Sequence, residues 1–110
     1  MISVVWLEKA NELCGFRMSG HAECGEYGED LVCAAVSALA QTCILGLTEV
    51  LCIKPDYRLN VDGESRCILP RELNTEQASG ARVLLQTLRV GLYSISMSYP
   101  GTLKFTFQEE

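Results

Sequence analysis

The sequence is poor in the residues that build metal sites and redox centres. It has one histidine, and its six cysteines include no Cys-x-x-Cys pair, the spacing typical of zinc sites and of thioredoxin-like redox motifs. His21, Cys24 and Cys33 are the only nearby mixed group of possible zinc ligands, without an evident fourth. We therefore expect no metal and no cofactor, and we interpret most of the cysteines as reduced, small apolar residues.

Long apolar runs and basic segments are also lacking. The most apolar stretch, residues 32–47, is interrupted by Ser37, Gln41 and Thr42, and so falls short of the roughly 18 uninterrupted apolar residues of a membrane helix. The start of the chain carries no basic region followed by a cleavage site. With 9 basic and 14 acidic residues, the net charge of −5 disfavours binding to nucleic acid. We expect a cytoplasmic protein that binds neither nucleic acid nor membranes.

The pattern of apolar and turn residues predicts one domain over residues 1–110, since 48% hydrophobic residues suffice for a core. Alternation predicts a first hairpin, and Asp62-Gly63 marks the turn of a second. Apolar residues that recur every three or four positions predict two long helices. The first is capped by Asp30 and the second by a capping box of Asn74 and Gln77. The predicted elements are strands at 2–7 and 14–19, a helix at about 31–52, strands at 57–61 and 66–69, a helix from 75 to before Pro100, and a strand at 103–107.

This order, β-β-α-β-β-α-β, predicts an α+β fold with both helices packed on an antiparallel or mixed sheet. Residues 20–30 between the second strand and the first helix contain three glycines and four acids without periodicity, which is typical of a loop. The chemistry-bearing residues lie in and beside this loop.

His21 opens the loop and Cys33 follows it, in the first turn of the predicted helix. Unpaired N–H groups and the helix dipole would favour a thiolate there, and an imidazole can accept the thiol proton and return one to a leaving amine. The nearby acids, Glu29 and Asp30 above all, oppose a thiolate, in which case His21 would act as general base on a neutral thiol.

Three further residues are candidates for supporting roles. Ser37 lies one turn after Cys33 and could line the site, although a serine bonding back to its own helix is the ordinary case. Gly20 is either a hinge or a turn residue. Asp30 could orient His21 or only cap the helix. On composition and spacing alone, Cys33 could equally be a residue of the hydrophobic core, and His21 could simply be exposed to solvent in the loop.

The stretch GHAECGEYGEDLVCAAVS at residues 20–37 resembles the signature of the ribosomal-processing cysteine protease family, often called Prp. The signature pairs Gly-His-Ala with a Gly-x-Asp-[hydrophobic]-Val-Cys-Ala-Ala-Val-Ser block. Length and element order are similar over the whole chain. The positions that match are Gly20, His21, Ala22, Gly28, Asp30, Val32, Cys33, Ala34, Ala35, Val36 and Ser37.

The resemblance implies a protease that removes the N-terminal extension of large-subunit ribosomal protein bL27, with Cys33 as nucleophile and His21 as proton donor and acceptor. It also implies a homodimer and a mobile loop between the two catalytic positions. A basic substrate suits an acidic enzyme. Cys24 is unexpected in this pattern, and is interpreted either as a harmless small residue or as a partner that could bond to Cys33 under oxidation.

A different class of function remains open on the residues alone. The chain could be a noncatalytic ribosome-assembly or translation-associated module that binds a basic ribosomal protein tail through its acidic loop without cutting it. Such a module would gain nothing from a reactive thiol near the single histidine. A third class, thiol oxidoreductases, is disfavoured because there is no Cys-x-x-Cys pair.

Overall fold

The computed structural model describes residues 1–20, 27–61 and 63–110, and the side chains at these positions other than 27–30. The elements in chain order are strands β1 (Ile2–Lys9) and β2 (Glu12–Ser19), helix α1 (Tyr27–Leu45) continued by a π-helical turn (Gly46–Val50), strands β3 (Asp56–Val61) and β4 (Glu64–Ile68), helix α2 (Thr75–Ser98) and strand β5 (Leu103–Glu109). The predicted α+β fold and its order of strands and helices are confirmed.

The five strands form one mixed sheet in the order β3-β4-β2-β1-β5. β5 runs parallel to β1, and the other neighbouring pairs are antiparallel. The β1–β2 turn is formed by Ala10 and Asn11, whose φ angles of 53° and 65° are those of a two-residue turn that matches the twist of the strands. The chain therefore returns directly from β1 to β2, and Ser19 and Gly20 come to lie beside the start of β1.

The core lies between one face of the sheet and the two helices. Trp6 of β1 and Phe16 of β2 are fully buried and pack edge to face with ring centres 6.4 Å apart. The predicted stripe on α2 is confirmed, because Ala81, Leu85, Leu88 and Leu92 are buried and Ile95 packs against the same core. The predicted capping box is also present, with the Asn74 side chain accepting from the backbone N–H of Gln77 at 2.7 Å.

Helix α1 differs from its prediction at both ends. It begins at Tyr27 instead of Leu31, so Glu29 and Asp30 fall within its first turn, where the helix dipole favours acidic residues. The helical segment ends at Val50, before Cys52, which has a left-handed φ of 55° that cannot continue the helix. Asp30 is therefore not the N-cap, and its side chain lies outside the described part of the structure.

The segment Leu31–Val50 spans 20 residues and has a mean hydropathy of 1.9 over an 18-residue window, enough by length and composition to cross a membrane. The expectation that no stretch is apolar enough is wrong on this measure, because the three polar residues that interrupt it carry no charge. The core helices of soluble proteins pass the same test. Here Val32, Val36 and Leu47 are buried in the core beneath the helix, and 33% of that window is buried.

Candidate active site

A cavity of about 290 Å³ opens between α1 and the β3–β4 hairpin. One wall is a face of α1 that carries Cys33, Ser37 and Gln41, and Gly20 borders the cavity at the end of β2. Leu59, Asn60 and Ser65 of the hairpin also line it. Three of the predicted site residues, Cys33, Ser37 and Gly20, are thus brought together.

Cys33 is half-buried, and it packs against the hydrophobic core while bordering the cavity. Ser37 follows four residues later, so the two side chains lie on the same face of α1, one turn apart. Ser37 is exposed. The pair therefore offers a thiol and a hydroxyl to whatever molecule enters the cavity.

The expected placement of Cys33 in the first helical turn is wrong. Because α1 begins at Tyr27, Cys33 lies in the second turn, where its N–H is in position to bond to the carbonyl of Glu29. The unpaired N–H groups of a helix belong to its first four residues, and the dipole effect falls off within the first turn. The helix start therefore gives a thiolate at this position little of the expected stabilisation.

Gly20 has a left-handed backbone with φ of +90°, and a Cβ atom built on it would lie 2.6 Å from the carbonyl oxygen of Met1. Both the angle and the close approach require glycine. Gly20 therefore uses a backbone conformation that is available mainly to glycine. His21, Cys24 and the acids Glu23 and Glu26 lie outside the described residues, so the pairing of His21 with Cys33 stays a prediction.

The other described cysteines differ from Cys33 in their surroundings. Burial raises the pKa of Cys43 to about 11 and that of Cys67 to about 12, which keeps both as neutral thiols at physiological pH. Burial, together with the nearby Glu110 carboxylate, also raises the pKa of Cys14. Cys52 is exposed. Within the described ranges, Cys33 is the one cysteine that borders this cavity.

The hairpin wall of the cavity was missed by sequence reasoning. Asn60 has a left-handed φ of 53°, and Ser65 is buried, with 8% of its surface exposed. Asn60 lies two residues before the predicted Asp62-Gly63 turn, which is the one signal that marked it as unusual. Ser65 faces the site only because β4 pairs with β2 in a register that places Ser65 opposite Met18.

The half-buried thiol of Cys33 on the wall of this cavity could act as a nucleophile on a molecule bound there. The model of the family described as "Cysteine protease Prp" matches residues 1–104. The chain belongs to this family, and it is a cysteine protease rather than a noncatalytic binding module.

Individual relatives agree with this assignment. The chain is 33% identical over 94 residues to a protein of Staphylococcus aureus (strain Mu50 / ATCC 700699) named ribosomal processing cysteine protease Prp, and the match covers 83% of each chain. The crystal structure of S. aureus Prp with a substrate peptide has 25% identity and a TM-score of 0.82, covering 98% of this chain and all of that one. A second S. aureus structure, with a covalently linked product peptide, has 27% identity and a TM-score of 0.81 at the same coverage.

Proposed function

We propose that this protein removes the N-terminal extension of ribosomal protein bL27 in the cytoplasm, with Cys33 as nucleophile and His21 as the proton-transfer residue. The observation that carries the proposal is the half-buried thiol of Cys33 on the wall of the cavity. The S. aureus relative is named for ribosomal processing, and a product peptide is covalently linked in one of its structures. A covalently held product is what a thiol nucleophile forms.

The proposed reaction has two steps. The sulfur of Cys33 attacks the carbonyl carbon of the scissile peptide bond, its proton passes to His21, and His21 then donates that proton to the departing amine as the C–N bond breaks. The thioester that remains is hydrolysed by a water molecule, which gives the new C-terminal carboxylate and restores the thiol. Ser37 and Gly20, which border the same cavity, are proposed to support this site, and Asp30 is proposed to orient His21.

The charge of the chain favours a basic substrate. The protein carries a net charge of −5, so a positively charged peptide is attracted to it over a distance of about 10 Å at 0.1 M salt. A ribosomal protein tail rich in Lys and Arg is such a peptide. Attraction of this kind raises the association rate more than it changes the chemical step.

The test is cleavage of a synthetic peptide that spans the N-terminal extension and the first mature residues of bL27, followed by mass spectrometry. The wild-type protein should cut it once, and Cys33→Ala should abolish cleavage. The matched control is Cys52→Ala, which removes an exposed cysteine away from the cavity and should leave cleavage unchanged. Substantial cleavage by folded Cys33→Ala would contradict the nucleophile, and an intact peptide after incubation with the wild-type protein would contradict the substrate.

We also propose that the protein is a homodimer. Val83, Val90 and Met97 recur every seven residues on one face of α2 and are 59–66% exposed, with Tyr93 beside them at 57%. A stripe of this kind can pack against its own copy across a two-fold axis. Sedimentation velocity should give a dimer for the wild type and a monomer for Val90→Glu. Tyr57→Glu, on the edge strand β3, is the control that should remain dimeric.

A further inference from the structure

Asn60 has a strained backbone at the edge of the cavity. It is a non-glycine residue with φ of 53°, and it lies where the pairing of β3 with β4 shifts register between Arg58 and Val61. Left-handed non-glycine residues and β-bulges both cluster at functional sites, because the surrounding structure has to hold them in place. Asn60 is exposed and lines the same cavity as Cys33.

Ser65 is the group that holds Asn60. The hydroxyl oxygen of Ser65 accepts a hydrogen bond from the backbone N–H of Asn60 at 3.0 Å. The hydroxyl group also donates a hydrogen bond to Oδ1 of Asn60 at 3.4 Å. Ser65 is the single buried polar side chain in the described ranges. Both bonds run to Asn60, one from its backbone N–H and the other to the oxygen of its carboxamide. The amide NH₂ of Asn60 is therefore the donor left to serve a ligand in the cavity.

We propose that Asn60 binds a main-chain carbonyl of the substrate peptide and that Ser65 is a positioning residue that acts through Asn60. A neutral NH₂ donor matches the carbonyl oxygens that every peptide carries at regular spacing, and it does not select a charged side chain. Asn60 and Cys33 lie on different walls of the cavity, so a peptide held by the hairpin wall is presented to the thiol on the helix wall. The inference rests on the proposed peptide substrate and adds a residue that holds it.

The first experiment replaces Asn60 with glycine. Asn60→Gly keeps the left-handed backbone without strain and removes only the carboxamide, so the fold should be retained. Peptide binding is measured by fluorescence anisotropy with the labelled bL27 peptide, in the Cys33→Ala background that prevents cleavage. Loss of one neutral hydrogen bond predicts about tenfold weaker binding, and in the cleavage-competent protein about a tenfold higher KM with kcat nearly unchanged.

The matched control is Asn11→Gly. Asn11 is also a left-handed asparagine in a hairpin, with φ of 65°, and it does not border the cavity. Asn11→Gly should leave peptide binding and KM unchanged, because it has the same effect on the backbone as Asn60→Gly but lies away from the cavity.

A double-mutant cycle tests the role of Ser65. Ser65→Ala alone should weaken peptide binding by severalfold, but it should add nothing in the presence of Asn60→Gly, because Ser65 acts through the group already removed. Equal binding by the Asn60→Gly protein and its parent, or a fall in kcat at unchanged KM, would overturn the inference. If the Cys33→Ala protein binds the bL27 peptide but the wild-type protein does not cleave it, only the proposed cleavage is overturned. If neither protein binds the peptide, both the proposed cleavage and the proposed role of Asn60 are overturned.

Discussion

Replacing Gly20 with alanine tests whether the junction of β2 with the segment that begins at His21 must have its observed geometry. A left-handed non-glycine residue costs about 1–3 kcal/mol. At Gly20 the added Cβ would also lie 2.6 Å from the carbonyl oxygen of Met1, which is backbone and cannot rotate away. A forced shift of this kind adds about 1–3 kcal/mol, so Gly20→Ala should cost about 2–6 kcal/mol of the free energy of unfolding.

The chain supplies a matched control for the backbone term. Gly101 has φ of +81°, and nothing lies within 4 Å of the Cβ position. Gly101→Ala should therefore cost only the conformational part, about 1–3 kcal/mol. The difference between the two substitutions isolates the contact with Met1.

Urea unfolding followed by circular dichroism measures both costs, and peptide cleavage is assayed without denaturant. A domain of this size is stable by about 5–15 kcal/mol, so cleavage rates are compared per folded protein, with the folded fraction taken from each unfolding curve. Gly20 borders the cavity and directly precedes His21 in the sequence. Gly20→Ala should therefore lower kcat/KM by more than tenfold, while Gly101→Ala should change kcat/KM little. Equal stability losses in the two variants together with near-normal cleavage by Gly20→Ala would refute the reasoning.

Three more predictions concern the proton-transfer residue, the buried thiols and α2. His21→Ala should lower kcat by orders of magnitude with little change in KM, because proton transfer stabilises the transition state and not the bound substrate. Steady-state kinetics that showed a raised KM at unchanged kcat would instead make His21 a substrate-binding residue. At pH 9, iodoacetamide should modify the exposed Cys52, whereas Cys67 should react only after unfolding, because burial raises the pKa of Cys67 to about 12. Equal modification rates of the two cysteines in peptide mapping would contradict the burial of Cys67. Gly91→Ala should stabilise α2 by about 0.5–1 kcal/mol in urea unfolding, because the new methyl group meets only Leu39 at 3.4 Å; a loss of stability would show that this contact is too tight.

The parts of the fold that sequence reasoning predicted correctly are those fixed by local signals. The capping box of Asn74 and Gln77 depends on residues three apart, and the stripe on α2 depends on a period of 3.6. The start of α1 was missed because Asp30 is a good cap by type, and the residues before it carry glycines that disfavour a helix. The pairing of β1 with β5 joins residues about a hundred positions apart, and no local pattern specifies it.

The site was predicted unevenly for the same reason. Cys33 and Ser37 share a helix face, so their common position follows from spacing alone. Asn60 and Ser65 reach the cavity only through the register of β4 on β2 and through a bulge in β3, which are properties of the assembled sheet. Gly20 lies between these cases, because its residue type indicated a special backbone but not the contact with Met1 that makes the glycine necessary.

The corrected start of α1 changes how the proposed nucleophile would be activated. At a helix start, unpaired N–H groups could stabilise a thiolate without help, and a histidine would then serve mainly the leaving amine. Cys33 lies a turn further in, beyond those N–H groups, and the acids at positions 29 and 30 fall in the first turn between it and the helix start. The proton of the thiol therefore needs an acceptor at the moment of attack, which is the role proposed for His21 as general base. On this mechanism the alkylation rate of Cys33, measured by peptide mapping, should fall in His21→Ala to about that of exposed Cys52, whereas a thiol activated by its helix would keep its rate.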